Sequence, residues 1–416
     1  MIRQFKNQLN GRLSWRQTFT ALRYPNYRLW FWGQMISLFG SWMQGTAQSF
    51  LMFELTRSPV YLGYAGFASG VPTWLFMLYA GVVADRMPRR NLMIITQTSM
   101  MILAFITAGL SFLHLIQPWH IIILAFGFGV TNAFDAPARQ AMVKELVGPE
   151  HLTNAIALNS AMFNTSVALG PAVGGMTYAL FGPAWCFTIN GLSFIAVIAA
   201  LAAMKLIPFV PNAEQNSIVT DLKEGLRYVA AHSMIRTIIS LVGVMTLFGF
   251  AFATLMPAWA VRILHGNSTT NGFLQSARGF GALISALLIA SLGRFKFRGK
   301  LLTFGSFAFP VMLIIFSFIN WLPLSLLFLF GIGFALILVF NLANASVQTL
   351  TPDHLRGRVM SIYSLTFFGS MPIGALIIGS MAARIGEPTT IMVNALIVLA
   401  YAGFIFVFMP KLRRLE

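Results

Sequence analysis

Long apolar segments alternate with short polar stretches along most of the chain. A helix that crosses a bilayer needs about 20 mostly apolar residues, because the hydrocarbon core is about 30 Å thick. The sequence contains twelve such segments, at residues 29–53, 60–83, 92–113, 119–142, 153–181, 184–207, 234–262, 270–293, 301–319, 322–349, 355–384 and 388–409. The pattern predicts an all-α integral membrane protein with twelve transmembrane helices.

The longest polar stretch divides these segments into two sets of six. The predicted parts are a basic arm at 1–28, an N-terminal six-helix bundle at 29–207, a linker at 208–232, a C-terminal six-helix bundle at 233–409 and a tail at 410–416. In the linker, Asp221 is followed three residues later by Glu224, which is typical of a helix start. Apolar residues fall on one side of this predicted helix, so we expect an amphipathic helix on the inner membrane surface.

The two sets of segments resemble each other weakly. VGPEHL at 147–152 matches LTPDHL at 350–355, and ISLFG at 36–40 matches MTLFG at 245–249. At the second offset, Gly63 and Gly70 fall on Gly272 and Gly279. The matches indicate two six-helix pseudo-repeats in parallel, an arrangement in which the substrate path runs between the halves.

Composition and charge support a membrane protein with a defined orientation. The chain is 57% hydrophobic with a mean hydropathy of +0.75 and a net charge of +17. If both termini are cytoplasmic, 24 of the 28 lysines and arginines lie on the inner side, as the positive-inside rule requires. The charge therefore reports topology in a bacterial inner membrane, and nothing in it indicates a nucleic-acid partner.

The residues that usually carry enzyme chemistry are sparse. Cys186 is the single cysteine, and the six histidines are scattered without metal-ligand spacing. No phosphate-binding loop, dinucleotide fingerprint or nucleophile elbow occurs. We expect a protein that is not an enzyme, has no cofactor and no metal, and is not driven by ATP.

The stretch GVVADRMPRR, between the second and third segments, resembles the signature loop of the major facilitator superfamily. The resemblance implies the fold of that family and a cytosolic latch, which comprises Gly81, Asp85, Arg86, Arg89 and Arg90. Gly81 would let two helices approach closely, and Asp85 would face the positive start of a helix of the other half, near residues 353–358. A short inner loop is basic in any case, which alone would explain Arg89 and Arg90.

The equivalent loop of the second half, SLGRFKFRGK, has Arg294 where the repeat would place Asp85. We therefore expect a latch on one side only.

Two carboxylates are candidates for proton coupling. Asp135 lies toward the inner end of the fourth segment, with Arg139 four residues later on the same helical face. An acid inside a span is costly unless it is paired or hydrated. Asp135 and Arg139 would either join the latch or leave Asp135 to carry the proton, with Glu54 at the outer end of the first segment as the other candidate.

The fifth segment contains GPAVGG, with Gly170, Pro171, Gly174 and Gly175. It resembles the core of the motif associated with antiporters of the superfamily, although Ala157 and Ser166 stand where that motif has further glycines. The resemblance implies antiport and export. Ordinary packing of small residues between helices is the alternative interpretation.

Several polar residues inside the segments are candidates for the substrate cavity. Arg278, deep in the eighth segment, should face a water-filled cavity or else pair with Glu54. The other candidates are Gln34, Gln44, Gln48, Asn341 and Asn344. These amides would serve equally well as hydrogen-bonded pairs between helices.

Longer runs, including residues 22–63 and NAFDAPARQAMV, resemble the branch of the superfamily that contains the enterobactin exporter. The resemblance implies a secondary active transporter that exports a small organic molecule, such as a siderophore or an amphipathic drug-like compound, by proton-coupled alternating access. Some members have an acid where this chain has Ser41. The expected partners are the substrate, protons and membrane lipids, with the protein as a monomer. The alternatives are a facilitator or importer of a lipid or metabolite, and a non-transporting membrane receptor or assembly factor.

Overall fold

The computed structural model describes residues 19–206, 218–292 and 297–414. Most of the predicted basic arm, the first half of the predicted linker, Arg294 and the last two residues lie outside these ranges.

The described chain is helical throughout its long elements. The helices are α1 Pro25–Thr56, α2 Pro59–Arg86, α3 Arg89–Phe112, α4 Pro118–Leu146, α5 Leu152–Phe181, α6 Pro183–Ala203, α7 Ile218–Ala231, α8 Ser233–Ile263, α9 Ser268–Leu292, α10 Arg298–Phe316, α11 Leu322–Leu350, α12 Asp353–Ile385 and α13 Glu387–Phe408. Within the described ranges, nine of these are long and apolar enough to cross a membrane, or ten if α2, bent by 60° near Met77, is counted as one span. Helices α1 and α5 are long but carry more polar residues.

Proline and glycine set many of the helix ends. Proline stands at the first or second position of α1, α2, α4, α6, α11 and α13, where its missing N–H would have no partner in any case. The turns α5–α6 and α12–α13 are both made by a glycine with positive φ, Gly182 at 86° and Gly386 at 80°. Only glycine adopts this backbone without strain. The same turn therefore recurs at equivalent places in the two sets of helices.

Helix α8 differs from the regular span that the sequence predicts at 234–262. It is α-helical to Val244, a π-helix at Met245–Gly249, a 3-10 helix at Phe250–Leu255 and again a π-helix at Trp259–Ile263. Pro257 has no N–H to donate to the helical ladder, so the backbone hydrogen bonds around it must rearrange. The hydrophobic pattern contains no signal for such a change.

The buried apolar side chains form separate cores in the two halves. One large cluster contains only residues between 229 and 412, and another contains only residues between 21 and 206. A third, smaller cluster joins residues 47–187 to Ala258. The halves meet mainly where α2 packs on α12 and where α5 packs on α9.

The linker helix α7 packs against the start of α12. Glu224 forms an ion pair with Arg358 at 2.7 Å, and a Cβ on Gly225 would lie 3.0 Å from the carbonyl oxygen of Arg358. Val229 is buried, whereas Leu226 is 58% exposed. The predicted helix is therefore present, with one of its apolar residues uncovered.

Candidate functional site between the two halves

The interface between the halves is different at its two ends. We call the end where α2 stops and α3 starts the basic end, and the end where α1 stops and α2 starts the closed end. The names follow from the contacts described below.

At the closed end, helices α5 and α9 touch through their backbones. A Cβ on Gly272 would lie 2.5 Å from the carbonyl oxygen of Pro171, and one on Gly279 would lie 2.6 Å from that of Val167. The N–H of Ala172 also donates to the hydroxyl of Ser276 at 2.9 Å. These distances leave no space for a side chain at positions 272 and 279.

Helices α2 and α12 make the equivalent contact. A Cβ on Gly63 would lie 2.8 Å from the carbonyl oxygen of Ala375, and one on Gly70 would lie 2.9 Å from Pro372. Gly63 and Gly70 are the residues that the internal repeat aligns with Gly272 and Gly279. Aligned glycines therefore close the two helix pairs in the same manner.

The motif GPAVGG belongs to this closure. Gly170 and Gly174 face α1, where a Cβ would lie 2.7 Å from Trp42 and from the carbonyl oxygen of Met43 respectively. Gly175 faces α9, where a Cβ would overlap the carbonyl of Ser268. The motif thus holds α5 against both neighbouring helices.

Arg262 of α8 adds a polar contact at the closed end. It pairs with the buried Glu387 at 2.9 Å, donates to the carbonyl oxygen of Arg57 and lies over the ring of Phe53 at 5.3 Å. Phe53 and Arg57 belong to the other half. The arginine therefore joins the halves, which sequence analysis had not predicted.

At the basic end, Gly81 of α2 and Gly357 of α12 face open space. A Cβ on Gly81 would meet nothing within 4 Å, and neither would one on Gly357 at the start of α12. The predicted close approach at Gly81 is therefore not present in this structure, and the role of Gly81 in a latch stays a prediction.

The charged residues of the signature loop contact their own half. Arg89 lies 3.8 Å from Asp85 and pairs with Glu145 of α4. Arg90 donates to the carbonyl oxygens of Ala202 and Met204 at the end of α6. The exposed Arg86 ends α2. These contacts tie α2, α3, α4 and α6 together within the N-terminal half.

Asp135 is almost completely buried, at 2% exposure, in a polar group between helices. Its Oδ1 accepts hydrogen bonds from Thr96 at 2.9 Å and Gln97 at 2.8 Å, and its Oδ2 lies 3.4 Å from Arg139. Ser37 of α1 donates to Gln97 at 3.2 Å. The carboxylate thus links α4 to α3 and, through Gln97, to α1. No pattern in the sequence pointed to Thr96 or Gln97, which approach Asp135 through tertiary packing.

Glu54 and Arg278 do not meet. Glu54 accepts a hydrogen bond from Tyr178 and borders a cavity of about 410 Å³ at the closed end, with Arg57, Asn267 and Ser268. Arg278 is half-buried over the ring of Phe250, with its guanidinium carbon 5.3 Å from the ring centroid. The alternative pairing of these two residues is therefore not present.

The candidate amide side chains are either buried or half-buried. Gln34 and Gln44 are 1% and 4% exposed, and Gln44 accepts a hydrogen bond from Asn190 at 2.6 Å. They lie between helices and do not line an open path here. Gln48, Asn341 and Asn344 are half-buried, and Asn344 accepts a hydrogen bond from Gln348 of its own helix at 2.6 Å.

Among the described residues, no group of three or more histidine, cysteine, aspartate or glutamate side chains could hold a metal ion.

The known proteins to which this chain is similar include transporters, exporters and efflux pumps. The family model described as "Transmembrane secretion effector" matches residues 16–416. The staphyloferrin A transporter of Staphylococcus aureus is 24% identical, with 86% of this chain and 90% of the relative covered. The multidrug efflux pump Tap of Mycolicibacterium fortuitum is 25% identical, with 88% and 91% covered. The enterobactin exporter EntS of Escherichia coli is 23% identical, with 96% of both covered.

Solved structures share the fold at low identity. The nucleoside transporter NupG has a TM-score of 0.69 at 14% identity, and the match covers 92% of this chain and 97% of the NupG chain. A bacterial homologue of the lysosomal transporter Spinster, in an inward-facing and unoccupied conformation, has a TM-score of 0.71 at 12% identity, with 94% and 98% covered.

Proposed function

Because the chain belongs to the transmembrane secretion effector family, whose members of known function are transporters of the major facilitator type, we propose that it exports a small organic molecule by proton-coupled alternating access. The observation that carries the proposal is the difference between the two ends of the interface. One end is closed by backbone contacts, and the other leaves Gly81 and Gly357 in open space.

The proposed topology has twelve transmembrane helices, namely all the long helices except α7, in two six-helix repeats. The separate apolar cores, the repeated glycine turns and the aligned glycine contacts support this arrangement. The basic end lies in the cytoplasm and both termini with it, which agrees with the positive-inside distribution. In this assignment the structure is open toward the cytoplasm of a bacterium.

The signature loop closes the basic end in the opposite state. Asp85 then leaves Arg89 and caps the start of α12, where a carboxylate gains from the helix dipole. The open space at Gly81 and Gly357 is the gap that this movement closes. The latch is therefore a contact of the outward-facing state, and Asp85 and Gly81 act only when the basic end closes.

Asp135 carries the coupling proton. The carboxylate accepts hydrogen bonds from Thr96 and Gln97 of α3 and lies beside Arg139 of its own helix. A movement of α3 relative to α4 would separate the carboxylate from Thr96 and Gln97. Such a change between the two access states is what coupling requires, and Glu54 at the closed end is the alternative site.

The names of the relatives support export and a range of substrates. They include transporters of staphyloferrin A and enterobactin as well as multidrug and macrolide pumps. We therefore propose a siderophore or an amphipathic drug-like compound as the substrate class. The protein works as a monomer among membrane lipids.

The test uses purified protein in liposomes that contain a pH-sensitive dye, with the voltage clamped by valinomycin and potassium. Enterobactin, staphyloferrin A and a macrolide are supplied in turn on the side that faces the basic end. Proton movement opposite to substrate movement is expected for at least one compound. Asp135→Asn should abolish it, and Glu150→Gln, at the same end but outside the membrane segments, should not.

Each possible result has a defined meaning. Transport that is indifferent to the pH gradient would reject proton coupling and favour a facilitator. Gradient-driven transport that survives in Asp135→Asn would reject only this residue and direct attention to Glu54. If none of the compounds and no drug library member moves, the receptor or assembly-factor alternative gains support.

A further inference from the structure

Arg278 is a cation deep in α9 whose described neighbour is an aromatic ring. Its guanidinium carbon lies 5.3 Å from the centroid of Phe250. Among the residues that the structure describes, no carboxylate forms an ion pair with Arg278. A cation–π contact offsets only part of the cost of placing a guanidinium inside a membrane. The site therefore has a positive charge that the described residues do not neutralise.

Phe250 stands where α8 changes from a π-helix to a 3-10 helix. Irregular turns of this kind are frequent at functional sites, because they redirect side chains that a regular helix would place elsewhere. The ring of Phe250 lies 6.4 Å from Phe367 of α12, which lies 5.1 Å from Phe340 of α11 at an angle of 87°. We call Phe250, Phe340 and Phe367 the aromatic wall. Phe250 is the member of the wall that contacts Arg278, and the ring contacts continue from it to α12 and α11.

The face of α9 that carries Arg278 also holds two side-chain amides. Asn271, Gln275 and Arg278 are spaced by four and three residues, so they lie along one side of the helix. Gln275 donates to the carbonyl oxygen of the Asn271 side chain at 3.3 Å. The amide nitrogen of the buried Asn271 has no hydrogen-bond partner among the described residues. The group left without a partner on this face is a donor, and Arg278 adds further donors, which favours a ligand that supplies acceptors.

We infer that Arg278 and the aromatic wall form a binding site for organic anions with a flat apolar body. A carboxylate or another oxyanion would accept two parallel hydrogen bonds from the guanidinium, whose planar fork matches that geometry. The apolar body would pack against Phe250 and Phe367. An amine of the same shape would be repelled by Arg278. The inference rests on the proposed transport function, and it narrows the substrate class from amphipathic compounds in general to anions.

The test compares three probes with one body and different charges: 2-naphthoate, 2-naphthamide and 2-naphthylmethylammonium. Their affinities for the purified full-length protein in lipid nanodiscs are measured by calorimetry, without any gradient. We expect the carboxylate to bind at least about tenfold more tightly than the amide, as charge-assisted hydrogen bonds allow. The ammonium should bind most weakly.

Three variants assign this selectivity to residues. In Arg278→Gln, the affinity for naphthoate should fall to that for naphthamide, while the affinity for naphthamide stays the same. Phe250→Leu should weaken all three probes by a similar factor, because it removes ring surface and leaves the charge. Arg384→Gln, which changes an exposed arginine at the closed end, should keep the wild-type ratios.

Equal or undetectable binding of the three probes by the wild-type protein would overturn the inference, whether or not any variant folds. So would a carboxylate preference that survives in Arg278→Gln. The result is independent of the transport assay. Export without probe selectivity would contradict only this inference, and selectivity without export would contradict only the proposed function.

Discussion

The two ends of the interface between the halves contain different kinds of residues and contacts. At the closed end, glycines of α2, α5 and α9 lie against backbone atoms, and Arg262 adds a charged contact between the halves. At the basic end, the signature loop is charged, and Gly81 faces open space. Backbone packing is lost within a fraction of an ångström, whereas charged groups can exchange one partner for another. The contrast teaches that the ends depend on separate residues and can be disturbed one at a time.

The largest expected effect comes from filling a glycine contact at the closed end. Gly272→Ala places a Cβ 2.5 Å from the carbonyl oxygen of Pro171 and 3.1 Å from Gly175. Because the neighbours are backbone atoms, we expect a cost of about 1–3 kcal/mol from overpacking. Thermal unfolding of the purified protein should show a lower melting temperature.

Gly81→Ala is the matched control, since its Cβ would meet nothing within 4 Å. It should raise the stability slightly, by about 0.5–1 kcal/mol, because alanine restricts the unfolded chain and favours a helix. Equal shifts in melting temperature for the two variants would mean that the ends do not differ in packing.

A smaller effect is expected from Arg262→Gln. The change leaves the buried Glu387 without its partner and removes the contact with the carbonyl of Arg57. Hydrogen bonds to charged groups contribute about 1.5–3 kcal/mol, and we expect about 1–2 kcal/mol here, because the side chain of Arg262 is 41% exposed and partly screened.

The readout for this variant is the reaction of a maleimide with a cysteine placed at Ser276, which is buried between the halves. Arg262→Gln should speed the reaction, and Arg262→Lys should fall between it and the parent, because an ammonium lacks the planar fork. A rate unchanged in Arg262→Gln would remove this residue from the closure.

The smallest expected effect lies at the basic end, outside the membrane segments. The backbone N–H of Glu150 and the hydroxyl of Tyr24, which donates at 2.8 Å, lower the pKa of Glu150 below its ordinary value. A carboxyl group with a lowered pKa stabilises the fold above its ordinary pKa, and this contribution is lost as the pH falls through the folded value. Tyr24→Phe removes one of these hydrogen bonds to the carboxylate, so the stability of this variant should fall less between neutral and acid pH.

The measurement is the melting temperature between pH 3 and pH 7 for the parent and Tyr24→Phe. The two curves should differ above the ordinary pKa of the carboxyl group and converge in acid. A constant difference across the whole range would show that the hydroxyl acts by packing alone.

The comparison of ends also separates what the sequence could predict from what it could not. The helices were predictable within a few residues, because apolar runs of the required length end at proline or glycine, as at Pro118 and Gly182. The glycine alignment of Gly63 with Gly272 was visible as a repeat. Its role as a contact across the halves needed the structure, since the sequence does not state which helices are neighbours.

Three features of the structure could not be read from the sequence: the open space at Gly81, the partner of Gln44 and the irregular α8. The open space at Gly81 reflects one conformation of a protein with at least two proposed states, and a sequence pattern does not specify which state is occupied. Gln44 was a candidate either for the cavity or for a hydrogen-bonded pair between helices, and in this structure Asn190 of α6 donates to it. The irregular α8 follows from the local cost of Pro257 together with packing by other helices, such as Phe309 against Gly249. Hydrophobic periodicity records neither.

The central claim is that the basic end closes through Asp85 when the closed end opens. Two pairs of spin labels test it, one at Lys144 and Gln348 across the basic end, and the other at Leu115 and Trp321 across the closed end, with the buried Cys186 replaced by serine.

Distance distributions from electron paramagnetic resonance should show, in the parent, a second population with a shorter distance at the basic end and a longer one at the closed end. Asp85→Asn should deplete that population in both pairs, because removing a contact made in only one state shifts the equilibrium by the free energy of that contact. Distributions that are identical in the parent and Asp85→Asn, or ends that change independently of each other, would contradict the claim.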